Sequence, residues 1–196
     1  MCGYVKTLDT KTKFVILMHP KEFKKIKNGT GHLTHLSLKN SELFVGVDFT
    51  NHKRVNEIIK EYDSFVLYPA KDALNLSKNQ PKLQKDMAIF IIDATWSCSL
   101  KILRESKNLQ SLASVSFETT KLSEFKIKQQ PEDFCLSTIE STLCILELLD
   151  KYDVEDIREN DLQSFLTPFK EMVKYQQKII ANPLSNAVRF KKRDKR

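Results

Sequence analysis

Short apolar runs alternate along this chain with stretches of helical period. Residues 14–18 (FVILM), 43–47 (LFVGV), 64–68 (SFVLY) and 87–92 (MAIFII) read as buried strands, the first and third closed by Pro20 and Pro69. The fourth run is apolar on both faces, as a central parallel strand should be, and it ends at Asp93. Residues 112–117 (LASVSF) give a weaker fifth strand. Helical patterns lie between these runs. Asn51 is placed to cap one whose inner face carries Val55, Ile58 and Ile59. Trp96, Leu100 and Leu103 form one side of another. Ser137-Thr-Ile-Glu140 has the capping-box pattern, with Ile139, Leu143, Leu146 and Leu149 following on one face.

The alternation predicts an α/β fold: a mainly parallel sheet flanked by helices. One domain is expected over residues 1–182, followed by a basic tail over 183–196. In such sheets ligands sit at the carboxyl ends of strands. His19-Pro20, Tyr68-Pro69 and Asp93 all collect there. The C-terminal third is more helical and more charged. Asn160 is placed to cap a short helix, and Thr167-Pro168 reads as a cap and first-turn proline of the next. Lys170, Lys174 and Lys178 recur every fourth residue on it as a basic stripe.

Composition narrows the function classes. The 196 residues are 41% hydrophobic, enough for one core, and carry a net charge of +7. Residues 189–196 hold six positive charges and one negative, so the tail supplies five of those seven. The excess favours an anionic partner. Gly29 and Gly31 are the only close pair among four glycines, and no phosphate-cradling motif exists. Cys2, Cys98, Cys135 and Cys144 include no C-x-x-C and no His at finger spacing, so no metal is expected and the last three read as core thiols. No apolar run reaches bilayer length and no signal segment is evident. The expectation is a soluble, cytoplasmic protein.

Four constellations could carry chemistry, and each has a plainer reading. Asp93-Ala-Thr-Trp96 puts a carboxylate and the only tryptophan after a buried strand: an acid or base beside an aromatic wall, or a cap and a core residue. Gln130-Pro131 through Glu140 leads into a helix N-terminus, which attracts anions or is simply capped. His19-Pro20-Lys21-Glu22 to Asn28-Gly-Thr-Gly31 could bind a substrate backbone or be a solvated connection before a helix. The lysine stripe and tail could bind nucleic acid or only solubilise; the tail carries a single aromatic, Phe190, and base stacking by it is not expected.

In this order the segments resemble the DTW-domain family of aminocarboxypropyltransferases. The markers are His19-Pro20-Lys-Glu22, Asn28-Gly-Thr-Gly31, Leu67-Tyr-Pro69 with Ala73, Asp93-Ala-Thr-Trp96, and Pro131 followed by Leu136-Ser-Thr-Ile-Glu140. The resemblance implies a SPOUT-like fold with a C-terminal knot at an S-adenosylmethionine site. It also implies transfer of the 3-amino-3-carboxypropyl group to N3 of a tRNA uridine, with release of methylthioadenosine. The family often carries a cysteine cluster before its first strand; here only Cys2 remains. Either the metal was lost or the start is placed too far downstream. Members often have Arg after the Thr-Gly pair; here His32 stands, which lacks the fixed charge and fork of a guanidinium, so a phosphate or substrate contact there is expected to be weaker.

The chemistry assigns roles within that resemblance. The donor sulfonium offers three carbons, and the protein must present one of the less accessible ones in line with the acceptor nitrogen, at roughly 3–3.5 Å. Uridine N3 carries a proton, and Asp93 is the expected base; positioned bases contribute about 10²–10⁴-fold. Amides around Ser137 and Thr138 are expected to hold the donor's carboxylate or ribose edge. Adenine is expected against Leu67, Tyr68, Pro69 and Leu136, with Thr95 and Trp96 beside the sulfonium or fixing the Asp93 turn. For tRNA the expected contacts are His19, Lys21, Lys24, Lys25, Lys27, Thr30 and His32. Further contacts are expected from Lys170, Lys174 and Lys178 and from Arg189, Lys191, Lys192 and Arg193 in the tail. Two rivals stay open: a SPOUT methyltransferase acting on RNA, and a non-catalytic RNA-binding module. Ribosomal RNA is an alternative acceptor, and the oligomeric state is left open.

Overall fold

The computed structural model describes residues 2–25, 29–125 and 135–181. After a 3-10 turn at Cys2–Tyr4 come β1 (Lys13–Met18), α1 (Pro20–Lys25), α2 (Thr30–Ser37) and β2 (Ser41–Val45). There follow α3 (Lys53–Glu61), β3 (Asp63–Leu67), β4 (Leu74–Asn75) and β5 (Met87–Asp93). The chain continues through α4 (Trp96–Glu105), α5 (Lys107–Gln110), β6 (Ala113–Ser116), α6 (Thr138–Lys151), α7 (Glu159–Ser164) and α8 (Thr167–Ala181).

The six strands form one sheet in the order β2-β1-β5-β3-β6-β4, and every pairing is parallel. Strand alternation divides the core in two. Phe14 and Ile16 of β1, with Ile89 and Ile91 of β5, face the layer of α2, α6 and α8. Val15, Leu17, Ala88 and Phe90 face the layer of α3, α4 and α5. Both faces of the central strands are therefore dry, which explains why those runs are continuously apolar. Each side chain in these layers leaves water almost completely, a gain of about 1.5–3 kcal/mol for a large aliphatic or aromatic residue.

Several local readings need correction. His52, not Asn51, caps α3: its Nδ1 accepts the Val55 amide at 3.3 Å, and its ring lies against Phe44 and Phe49. A ring held by two aromatic neighbours can do what a short polar side chain usually does. Arg158, not Asn160, occupies the cap of α7. Residues 20–25, read as a connection, already form a helix. The buried side of α4 is Ile102 with half-buried Leu103, whereas Trp96 and Leu100 are exposed. β2 stops at Val45, two residues earlier than expected, and β4 is too short to leave a period in the sequence. Of the three cysteines read as core thiols, only Cys144 is buried; Cys98 and Cys135 are half-buried.

Candidate functional site

Because the sheet is parallel, the carboxyl ends of all its strands lie along one edge. β5 sits between β1 and β3, so its last residue, Asp93, lies in mid-rim, paired in register with Met18. Alternation continues the Ile89, Ile91 series onto Asp93 and turns its carboxylate toward α2 and α6. Two contacts mark that orientation. The Thr138 hydroxyl, in the first turn of α6, donates to Asp93 Oδ1 at 2.6 Å. Gly31, in the first turn of α2, lies so close that a Cβ there would fall 2.5 Å from Asp93 Oδ2 and 2.9 Å from Met18 Cε. The carboxylate is thus held between two helix N-termini, whose dipoles favour negative charge. The N-cap position of α4 is held by Thr95, two residues past Asp93.

The neighbouring strand ends supply the rest. His19, just past β1, donates its backbone N–H to the Asp93 carbonyl at 3.2 Å. Its ring is buried, and Nδ1 accepts the Lys21 amide at 3.2 Å. Burial above all, then the nearby Lys21 and Lys101 charges, lowers its pKa, so the imidazole stays neutral near pH 7. At the end of β3, Leu67 packs on the same side as Asp93, whereas Tyr68 belongs to the opposite layer and stacks on Trp96 at 6.0 Å and 20°. Trp96 is 56% exposed, so the core reading of this residue is wrong: it sits on the rim with only one face covered. Pro69 and Thr95 are exposed beside the pair, and Leu136 is half-buried before α6.

Ser137 closes a complete capping box. Glu140 accepts its backbone N–H at 2.8 Å and its hydroxyl, and also the Ser123 hydroxyl and the Glu124 amide. Ser137 is buried, and its backbone N–H and hydroxyl are engaged by Glu140, so it helps build the helix terminus. The first-turn amides of Thr138 and Ile139 have no acceptor inside the helix by geometry, and these are the groups that could meet an anion.

Of the residues expected to meet RNA, Lys21 and Lys24 are exposed on α1, next to the rim. Thr30 is buried, and its carbonyl takes the Thr34 hydroxyl. His32 stacks on Phe23 at 5.4 Å and 28°. On α8, Lys170 pairs with Glu124 at 3.2 Å and Lys174 with Glu171 at 3.6 Å, so that stripe is partly neutralised; Lys178 is exposed. The Lys25 side chain, Lys27, Pro131, Arg189, Lys191, Lys192 and Arg193 lie outside the described residues. Among the described residues no group of three or more His, Cys, Asp or Glu could hold a metal ion. Sequence reasoning passed over Phe23, which carries no polar signal, and the contact of Gly31 with a residue 62 positions away.

A parallel sheet between two layers of helices defines an α/β protein, and the carboxylate, two helix N-termini and exposed rings gathered at its carboxyl rim make that rim the candidate site. The chain belongs to the DTW-domain family, whose profile matches residues 1–177. It is similar to a tRNA-uridine aminocarboxypropyltransferase 2 of Drosophila melanogaster, with 28% identity over 84% of this chain and 64% of the relative. The proteins of the same name from Mus musculus and Macaca fascicularis are 26% and 27% identical, over 77% and 74% of this chain and 53% and 50% of their own. The chain thus spans about half to two-thirds of the length of these relatives. No solved structure matches it significantly.

Proposed function

We propose that the protein transfers the 3-amino-3-carboxypropyl group of S-adenosylmethionine to N3 of a uridine in tRNA, releasing methylthioadenosine. The single observation that carries this reading is the Asp93 carboxylate, held at mid-rim by Thr138 and Gly31 in a chain of the DTW-domain family. Relatives with the transferase name support the acceptor and the group transferred.

The donor supplies an electrophilic carbon next to a sulfonium. The residues at the rim fit such a molecule. Leu67 gives an apolar wall on the Asp93 side, Tyr68 and Trp96 a flat aromatic one across the rim, half-buried Leu136 leads into α6, and the first-turn amides of α6 give an anion site for its carboxylate. His19, kept neutral, adds no charge against a cation. Asp93 takes the N3 proton of the uridine, and the Thr138 hydroxyl fixes the orientation of its carboxylate. Lys21, Lys24 and the basic tail attract the tRNA phosphates. The knot over the cofactor site and a cytoplasmic location belong to the same proposal. No helix among the described residues is long and apolar enough to cross a membrane.

One observation favours a second role for Asp93. Its contacts with α2 and α6 make it a brace that positions both helix N-termini. Asp93→Asn separates the two roles, since an amide can still accept from Thr138. If Asp93 is the base, turnover falls by about 10²–10⁴-fold with donor affinity intact. If it only braces, the Asn variant keeps its turnover and Asp93→Ala loses donor binding as well. The decisive experiment for the reaction itself is mass spectrometry of nucleosides and small molecules after tRNA is incubated with the protein and labelled donor. Methylthioadenosine with aminocarboxypropyluridine supports the proposal; S-adenosylhomocysteine supports a methyltransferase; no donor binding with RNA binding retained supports a non-catalytic module.

A further inference from the structure

The rim carries two ring stacks, one on each side of Asp93. The Tyr68–Trp96 pair lies toward β3 and α4. The Phe23–His32 pair lies toward α1 and α2, on the side to which the Asp93 carboxylate turns, and the donor reading leaves it unused. Phe23 is 46% exposed, an unusual position for a phenyl ring on a short helix whose other residues after Pro20 are all charged. Its two supports are tied to Asp93, one through the backbone carbonyl and the other through the side chain. The Phe23 amide donates to the His19 carbonyl at 3.2 Å, and the His19 amide donates to the Asp93 carbonyl at 3.2 Å. His32 directly follows Gly31, which lies against the Asp93 side chain. The two rings are therefore fixed in place relative to the site.

The neighbourhood selects the occupant. Lys21 and Lys24 flank Phe23 on the same helix, and both are exposed. His32 keeps its Nδ1 buried without a hydrogen-bond partner. A buried nitrogen left without a partner is unfavourable, which suits a ring placed for its face rather than for its nitrogen. An exposed aromatic face bordered by lysines is the chemistry that binds an unstacked nucleobase together with its phosphates.

We propose that the Phe23–His32 stack is the acceptor-side RNA platform: a nucleobase lifted out of its helix packs on the exposed face of Phe23, and Lys21 and Lys24 hold the adjoining phosphates. The proposal rests on the reading that RNA is the acceptor. It assigns the two stacks to different molecules, the Tyr68–Trp96 side to the donor and the Phe23–His32 side to the RNA.

The test measures affinity of the full chain for unfractionated tRNA over a range of salt, and for S-adenosylmethionine by calorimetry. Phe23→Leu keeps apolar volume without the ring; it should weaken tRNA binding by about fivefold to a hundredfold, leave the salt slope unchanged and leave donor affinity unchanged. Phe23→Trp should restore tRNA binding. Lys24→Gln should instead reduce the salt slope by about one. Wild-type tRNA affinity in Phe23→Leu overturns the platform, and so does a loss of donor affinity with tRNA affinity intact, which would give the ring to the donor. If wild-type protein binds tRNA but not S-adenosylmethionine, the transfer reaction fails while the platform is still judged on RNA affinity alone.

Discussion

An alanine at position 31 would place a methyl group inside the Asp93 carboxylate. Its Cβ would lie 2.5 Å from Oδ2 and 2.9 Å from Met18 Cε, closer than any real contact. Met18 can swing its terminal methyl, but the carboxylate is held by Thr138 from the other side. We expect Gly31→Ala to destabilise the protein by about 1–3 kcal/mol, as overpacking does, and to reduce transfer more than it reduces the melting temperature would suggest. Thermal melting read beside turnover checks this; an alanine variant with full activity would show that the carboxylate has room to move. His19 gives a second prediction at this scale. Burial and two nearby lysines lower its pKa in the folded state. The stability tied to its neutral form is fully present above about pH 6.5, the unfolded value, and is lost as pH falls through the lower folded value. Melting temperature should fall as pH drops below about 6.5, and fall less in His19→Asn, which cannot titrate. His35, also lowered by burial, keeps some of the slope in that variant.

At the scale of elements, the start of α6 is the most heavily engineered joint near the site. Glu140 is buried yet takes four donors, from Ser137, Ser123 and Glu124. Ser137→Ala should cost about 1 kcal/mol, the usual loss of a cap. Glu140→Ala strands several of those donors at once and should cost more, at least about 2 kcal/mol. Thr138→Pro is the sharper functional probe. Proline is tolerated at the first helical position, so the helix should persist, while both the hydroxyl on Asp93 and one first-turn amide disappear. Calorimetry with S-adenosylmethionine should then show weakened binding; unchanged affinity would move the donor away from this terminus. The capping box was legible because its two residues stand three apart in the sequence. The α3 cap was not, because histidine caps there through contacts with Phe44 and Phe49 from other elements. In the same way α4 shows one apolar side in the sequence, Trp96 with Leu100, that the fold leaves at the surface. A pattern of spacing identifies an apolar stripe; it does not say whether water or protein covers it.

For the whole molecule, the parallel sheet followed directly from continuous apolar runs alternating with helical stretches, and Asp93 stood out because a charge ends the most apolar of them. What remained hidden depends on contacts across long stretches of chain: Gly31 on Asp93, Phe23 on His32, and the division of the rim into two faces. Charge is also a property at this scale. Five of the seven net positive charges fall in residues 189–196, while two of the α8 lysines are paired with glutamates. Deleting residues 189–196 should therefore weaken tRNA binding and flatten its salt dependence. If neither changes, the tail only solubilises. The far end of the sheet is held differently: Glu155, buried, accepts the amides of Lys11 and Thr12 ahead of β1. This clamp at the opposite edge fixes the start of β1, whose other end enters the rim.

The position of Trp96 makes the molecule its own optical sensor. It is the sole indole in the chain, and it stands half in solvent against Tyr68. Every change in tryptophan emission must therefore arise at one spot on the rim, with no background from a second fluorophore of its kind. Quenching by one ligand and silence toward another would map, without any attached label, which of them arrives on that side of the carboxylate.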